Sequence, residues 1–539
     1  MIQGFRQCFV FWVCCFVGLR LHAVQASGER PNVLILLADD LGYGDVRCNN
    51  PDRSKIATPN IDRLAEEGMR FTDGHSSSGV CSPSRYTLLT GRYHWRTRLQ
   101  RGIVNAFGDP LIALDRETIA SLAKRHGYRT ACIGKWHLGW DWPITAGQRP
   151  LLRPRPDAEG GGKTRKRDGS KQTEPSEGQL DAWRQIFSKR IEGGPTTRGF
   201  DRYFGTDVPN WPPFCFVKDD RTVGIPSTFL ASSLVGNHQA SQQGPAVQDW
   251  ALEPILPALG EQAIAFVSEC AQKREPFFLY MPLTAPHTPI AVNAEWKGRS
   301  GLNAYADFVM ETDAMVGRVL EALDRSGLAK DTLVVFTSDN GCAPYIGVKD
   351  LEAKGHFPSG PLRGYKADAW EGGHRVPFIV RWPKVVSPGS VCDHLVYQAD
   401  ILRTVSDILG VTLPDHVGED SFSFLPLLKG STTPLRMDGV SASIGGVPAV
   451  RQGAWKYIAA PGSGGWSGTS AEGPAVQLYD LSKDLGESKN LAEAMPEKVV
   501  EMQALLERLI VEGRSTPGTR QANDVEVIRY PRVGGSKKD

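Results

Sequence analysis

Residues 31–38 run Pro-Asn-Val-Leu-Ile-Leu-Leu-Ala, a short unbroken apolar stretch. A run of this length marks a strand buried on both faces, the habit of parallel sheets covered by helices. Comparable runs recur at 128–133, 276–283, 332–337 and 376–381, with a shorter candidate at 69–73. Stretches of helical character separate them. Residues 58–68 read as a capped helix closed by Gly68, and further helices fall at 118–126, 259–273, 305–325 and 399–409. The 305–325 segment places Phe308, Val309, Thr312, Val316, Val319, Leu320 and Leu323 on one face. This alternation predicts an α/β fold, a sandwich built around a mainly parallel central sheet flanked by helices. From about residue 440 the strand candidates become shorter and more polar, at 447–451, 455–459 and 476–479, and a helix follows at 496–511. That texture predicts a smaller C-terminal antiparallel sheet with a helix, packed on the main domain.

The 539 residues suffice for a large core and two domains. Residues 1–26 read as a secretory signal: Arg6 supplies positive charge, 8–21 is mostly apolar, and Val24-Gln25-Ala26 offers a cleavage site. Arg20 interrupts the apolar run, which argues against a stable membrane anchor. The expected destination is export: periplasmic, lysosomal-like or extracellular, depending on the host. The expected organisation is a signal at 1–26, a catalytic domain at 30–435, a C-terminal α+β subdomain at 436–515, and a loose tail at 516–539. Residues 149–178, rich in Gly, Pro, Lys and Arg, read as an exposed basic insertion, serving either a polyanionic substrate or plain solvated surface. A net charge of +2 gives no bulk signal for a nucleic-acid partner. Seven cysteines follow the signal (Cys48, Cys81, Cys132, Cys215, Cys270, Cys342, Cys392); apart from Cys81 they offer six candidates for pairing in an oxidising compartment.

The chemistry gathers at the predicted C-terminal strand ends, where open α/β sheets bind ligands. Asp39-Asp40, Lys135 with His137, His287 and Asp339-Asn340 all follow strands, joined by the loop bearing Cys81. Three carboxylates and an amide oxygen make a hard oxygen cage suited to Ca²⁺ or Mg²⁺, although Asp-Asp and Asp-Asn-Gly also read as plain turns. The stretch Gly79-Val80-Cys81-Ser82-Pro83-Ser84-Arg85 reads as a loop turning into a helix, with Ser82 as cap and Pro83 at the first position. Cys81 then lies at a helix N-terminus, with Arg85 one turn away and able to reach back over it. From the residues alone it is either an acidified thiolate nucleophile or a buried structural cysteine. Trp140-Asp141-Trp142 and Trp211-Pro212-Pro213-Phe214 are candidates for stacking on a ring or for core packing, and His94 and Trp95 for lining the pocket.

Cys81-Ser82-Pro83-Ser84-Arg85 followed by Thr90-Gly91-Arg92 resembles the signature of type I sulfatases, the formylglycine-dependent, arylsulfatase-like members of the alkaline-phosphatase superfamily. Resemblance extends through Leu36-Leu37-Ala38-Asp39-Asp40-Leu41-Gly42, Gly134-Lys135-Trp136-His137-Leu138-Gly139, Pro286-His287-Thr288-Pro289, Ser338-Asp339-Asn340-Gly341 and Arg363-Gly364-Tyr365-Lys366, and covers roughly 30–426. It implies that Cys81 is oxidised to Cα-formylglycine (3-oxoalanine) by a formylglycine-generating maturation enzyme. By the same resemblance Asp39, Asp40, Asp339, Asn340 and residue 81 hold one divalent cation, Ca²⁺, while Asp45 serves the fold. Arg85, Lys135, His137, His287 and Lys366 complete the catalytic set.

The implied reaction is hydrolysis of a sulfuric ester, releasing inorganic sulfate from a sulfated carbohydrate or aryl sulfate. Lys135, Lys366 and Arg85 would meet the sulfuryl charge, Asp339 would take the nucleophile's proton, His287 (aided by Lys366) would protonate the leaving oxygen, and His137 would act as base in sulfate release. Two alternatives stand beside it: a phosphonate or phosphate ester hydrolase on the same scaffold, and a non-catalytic binder of sulfated glycans.

Overall fold

The computed structural model describes residues 1, 30–153, 174–230, 241–468 and 474–531. The expected signal and the centre of the basic insertion lie outside the described residues.

Ten strands form the central sheet: β1 Asn32–Ala38, β2 Met69–Phe71, β3 Arg129–Ile133, β4 Arg202–Gly205, β5 Val217–Lys218, β6 Arg221–Thr222, β7 Phe277–Pro282, β8 Thr332–Ser338, β9 Phe378–Arg381 and β10 Ser390–Cys392. Their order is β10-β2-β9-β8-β1-β7-β3-β4-β5-β6. The middle five, β8-β1-β7-β3-β4, run parallel, and antiparallel pairings begin where β9 joins β8 and β5 joins β4. Parallel neighbours require crossover connections, so helices cover both faces.

Side chains of β1 alternate between two cores. Val33, Ile35 and Leu37 enter one, shared with Leu88 and Leu89 of the helix Cys81–Thr90 and with Ile401 and Leu402 of the helix Asp400–Ile408. Leu34, Leu36 and Ala38 enter the other, against Ile61, Leu259 and Val316 from the helices Pro59–Glu66, Ile255–Lys273 and Ala304–Arg325. Full burial on both faces is the reason the β1 run shows no polar alternation. Removing a side chain such as Leu36 to Ala would cost about 2–5 kcal/mol.

Most elements fall within a few residues of expectation. The helix expected at 259–273 starts earlier, at Ile255. Pro257 sits in its first turn, where a missing N–H breaks no intrahelical bond. The C-terminal sheet has four antiparallel strands, β11 Asp438–Ala442, β12 Pro448–Gln452, β13 Trp455–Ile458 and β14 Gln477–Asp480, with the helix Pro496–Glu512 packed on it. β11 gives little sequence signal because it is built from small residues; a Cβ on Gly439 would lie 2.2 Å from the Tyr397 ring.

Several expectations change. Residues 514–531 are no loose tail: Asp524 pairs with Arg92 at 3.0 Å, Asn523 accepts from Arg96 at 3.0 Å, and Arg514 is buried among carbonyl oxygens. The flanks of the basic insertion are ordered as well, since Arg149–Leu152 forms a turn whose Leu151 carbonyl accepts Trp183 Nε1 at 2.9 Å. All seven cysteines from Cys48 onward are free thiols, so none of the six candidates pairs.

Candidate active site

Strand register sets the site. Ala38 is paired with Ser338, and Leu37 with Pro282, so Asp39, Asp339 and the 283–287 loop leave the sheet at one level. Asp39 N–H donates to Ala285 O, Asp339 N–H to Ala38 O, and Lys135 N–H to Pro282 O at 2.7 Å. This last approach requires glycine beside it: Gly134 has φ +141°, and a Cβ there would lie 1.8 Å from the Pro282 carbonyl oxygen.

Adjacent residues leaving a strand point to opposite faces, so Asp39 and Asp40 would normally diverge. Asp40 has φ 65°, and this left-handed turn brings both carboxylates to one cluster. Donor atoms of Asp39, Asp40, Cys81 and His287 lie within 4.8 Å of one another, all buried. Cys81 Sγ is 3.7 Å from Asp39 Oδ1. Asp339 joins through its Oδ1, which accepts the Asp40 N–H at 3.2 Å. Asn340 Nδ2 donates to Asp40 Oδ1 at 2.8 Å, while its Oδ1 is buried with no hydrogen-bond partner among the described residues. An orphaned amide oxygen beside three carboxylates is the donor set a hard divalent cation uses.

Cationic groups surround these carboxylates. Lys135 Nζ lies 2.7 Å from Asp39 Oδ2, Lys366 Nζ 2.6 Å from Asp40, and His287 Nε2 3.5 Å from Asp40 Oδ2. Arg85 reaches back toward the cluster, with a terminal nitrogen 3.6 Å from Asp39 Oδ1. It grips Asp339 Oδ2 at 3.0 and 2.7 Å and donates to Lys135 O at 2.8 Å. His137, with φ 53°, has Nε2 3.0 Å from Val104 O, and its Nδ1 is buried without a partner.

The helix Cys81–Thr90 begins one residue before the expected cap: Val80 is the N-cap, and Ser82 Oγ instead accepts the Val104 N–H at 3.1 Å. Burial, reinforced by Asp339 and Asp39, pushes the Cys81 thiol up to about 12 against Lys135 and Lys366. Burial therefore works against the acidified thiolate expected for the unmodified residue. Burial would raise the Asp39 carboxyl too, but Lys135, His287 and Arg85 hold it well below the usual range. Burial and the Asp39 charge push Asp339 up to about 6. Burial, then Lys135 and Arg85, keep the His137 imidazole neutral, and burial brings His287 down to about 4.

All ten residues named from the sequence thus meet at one sheet edge. Other expectations do not. Asp45 binds Gly42 N–H, Tyr305 and His356, holding the fold. Trp140 and Trp142 are core, packed with Tyr203, Phe107 and Phe187. Trp211 is buried edge-on to His137 at 5.7 Å. Trp95 stacks on Tyr93 against the C-terminal subdomain, while His94 is buried, its Nδ1 without a hydrogen-bond partner. Sequence reading missed Asp207, whose Oδ1 accepts both His137 N–H and Trp140 Nε1, and Gln398, whose Nε2 holds the Ser338 carbonyl at 2.6 Å. Neither carries a local motif. A second histidine–carboxylate group, His75, Glu371 and His374, is engaged in ion pairing and hydrogen bonding with Asp73, Arg375, Arg451 and Lys456, a wholly structural use.

The Sulfatase family model matches residues 31–411. N-acetylgalactosamine-6-O-sulfatase of Bacteroides thetaiotaomicron is 31% identical over 521 residues, covering 89% of this chain and 93% of its own. Human arylsulfatase A is 31% identical over 517 residues, covering 90% and 89%. A solved chain from the locus with which Bacteroides thetaiotaomicron metabolises multiple glycosaminoglycans superposes with a TM-score of 0.73 at 29% identity, covering 89% of this chain and 99% of its own. With its sheet-edge cluster and these relatives, the chain belongs to the type I sulfatases of the alkaline-phosphatase superfamily and is an enzyme that hydrolyses sulfate esters.

Proposed function

We propose that the enzyme is exported and removes sulfate from a sulfated carbohydrate, using formylglycine made from Cys81 and one bound Ca²⁺. One observation carries the reading: Cys81 Sγ stands 3.7 Å from Asp39 Oδ1, amid the buried carboxylates of Asp39 and Asp40 and the lysines paired with them. Asp39, Asp40, Asp339, the Asn340 amide oxygen and residue 81 would hold the cation. The carbohydrate preference takes support from the N-acetylgalactosamine-6-O-sulfatase relative.

A hydrated formylglycine at position 81 would supply one hydroxyl oxygen as the nucleophile for sulfur and a second hydroxyl whose loss of a proton expels sulfate from the first oxygen as the aldehyde re-forms. A bound divalent cation supplies positive charge to the sulfuryl oxygens. The remaining work belongs to this chain's own residues. Lys135 and Lys366 present fixed positive charge in a buried site, where it is worth far more than in water. Arg85 fixes Asp339, which is suited to accept a proton at Oδ1. The charged Lys366 is suited to donate to the leaving oxygen, with the neutral His287 beside it to pass the proton on. The neutral His137, with its Nδ1 unpartnered, is suited to take a proton as sulfate departs.

The test combines mass spectrometry of the Cys81 peptide, from a host with the maturation enzyme, with turnover of sulfated oligosaccharides beside a phosphonate ester. Conversion with sulfate release supports the reading. An unmodified Cys81 in active enzyme, or faster phosphonate cleavage, overturns it.

A further inference from the structure

Residues 461–468 read Pro-Gly-Ser-Gly-Gly-Trp-Ser-Gly, small residues around one indole. Such a composition is loose by itself. Here it is pinned. Asp368 Oδ1 accepts the N–H groups of Trp466 and Ser467 at 3.0 and 3.1 Å, and Oδ2 accepts that of Tyr365 at 2.9 Å. Ser463 O accepts the Ala369 N–H at 2.8 Å. Gly465 packs so closely that a Cβ would lie 2.2 Å from the Ala367 carbonyl oxygen. The C-terminal subdomain is thereby fastened to the segment that carries Lys366.

The Trp466 side chain does none of that fastening. It stays 43% exposed, and its ring meets Tyr345, with centroids 5.9 Å apart and planes at 42°. Tyr345 lies in the turn Pro344–Ile346 just after Asn340, its hydroxyl facing Thr288, with Lys366 and Asp40 among the charges acting on it. An indole and a phenol ring thus run from solvent to the rim of the sulfate site. A tryptophan used as a loop anchor buries its ring, as Trp183 does.

We propose that Trp466, backed by Tyr345, is a stacking shelf for a sugar ring of the sulfated substrate. Rigid aromatic faces carry partial negative charge and attract the weakly positive C–H face of a pyranose, while the indole edge stays compatible with water. A sugar resting there keeps its hydroxyls wet and its sulfate near Lys366. This inference rests on the carbohydrate-sulfatase reading above.

The test uses the converted full-length enzyme, Trp466→Ala and Trp466→Phe, a panel of sulfated glycosaminoglycan disaccharides, and inorganic sulfate as inhibitor. Trp466→Ala is expected to raise KM for the best disaccharide about tenfold, and Trp466→Phe about threefold or less. Inhibition by inorganic sulfate, which has no ring, should shift less than about twofold in both. Thermal melts check that the variants are folded. An unchanged KM in folded Trp466→Ala, or an equal weakening of sulfate inhibition, overturns the shelf while leaving sulfatase activity standing. Wild-type enzyme that cleaves other sulfate esters but no sulfated sugar overturns the carbohydrate reading and the shelf together.

Discussion

Arg85 holds a single oxygen of Asp339 with two nitrogens, Nε at 3.0 Å and a terminal nitrogen at 2.7 Å, both on Oδ2. Its third nitrogen donates to Lys135 O at 2.8 Å, so one guanidinium ties together the helix Cys81–Thr90, the end of β3 and the end of β8. Lysine keeps the charge but has one nitrogen and cannot form this fork. Arg85→Lys is therefore expected to lower kcat/KM by about a hundredfold or more. Steady-state kinetics on folded protein check this; a variant within about threefold of wild type would show the fork to be dispensable.

Cys81 makes no strong contact through its sulfur, the nearest partner being Asp39 Oδ1 at 3.7 Å. Cys81→Ser should leave Tm within a few degrees of wild type, a change of about 1 kcal/mol or less. Multiple turnover of sulfate esters should nevertheless disappear, because an ordinary alkoxide cannot eject sulfate as an aldehyde forms. Mass spectrometry after incubation with substrate is expected to find either a trapped sulfated serine or no modification. Ordinary multiple-turnover rates would contradict the formylglycine mechanism.

Several acidic side chains packed in one buried cluster repel one another, and a bound cation relieves that repulsion. Chelation of the proposed Ca²⁺ should lower Tm, and adding it back at a hundred times its dissociation constant should restore about 2.7 kcal/mol. Asn340→Ala removes the orphaned amide oxygen together with the 2.8 Å bond to Asp40. The expected result is a weaker apparent metal affinity, by about 10–100-fold, read by calorimetric titration. Calcium-independent melting of wild-type enzyme would remove the cation from the site.

Asp207 behind His137 gives a pH prediction. Burial pushes its carboxyl up to about 6 from 3.8, against the Trp140 and His137 N–H bonds. A raised carboxyl pKa favours the neutral form in the fold. Its contribution is therefore present below 3.8 and lost as pH rises through about 6. Two pKa units correspond to about 3 kcal/mol. Asp207→Asn keeps an acceptor for both N–H groups and does not ionise. Between about pH 4 and 7, wild type should lose stability relative to this variant. Parallel Tm profiles would show that Asp207 is not strained by its charge.

The C-terminal assembly shows what local signals miss. β11 is built of small residues, and its place is set by Tyr397 pressing on Gly439, a contact between residues remote in sequence. The tail after Gly513 looked loose because its residues are polar. Its order comes from Arg92 and Arg96, buried arginines some four hundred residues earlier that find partners in Asp524 and Asn523. Trp140 and Trp142 read equally as stacking surfaces or core and are core, whereas Trp466 drew no attention; exposure is decided by neighbours, not by residue type.

The amino-acid order alone determined the parallel α/β core, because strands buried on both faces must be written as unbroken apolar runs. Ten candidate positions were legible as well: Asp39, Asp40, Lys135, His137, His287, Asp339 and Asn340 follow strands, whereas Cys81 and Arg85 lie on a helix and Lys366 in a loop. Only the tertiary structure decided how those positions serve one another. The left-handed turn at Asp40, the grip of Arg85 on Asp339, and the upward push of burial on the Cys81 thiol depend on strand register and shared burial. Those arise between segments, where charges separated by hundreds of residues come within a few ångströms in a medium that screens them poorly.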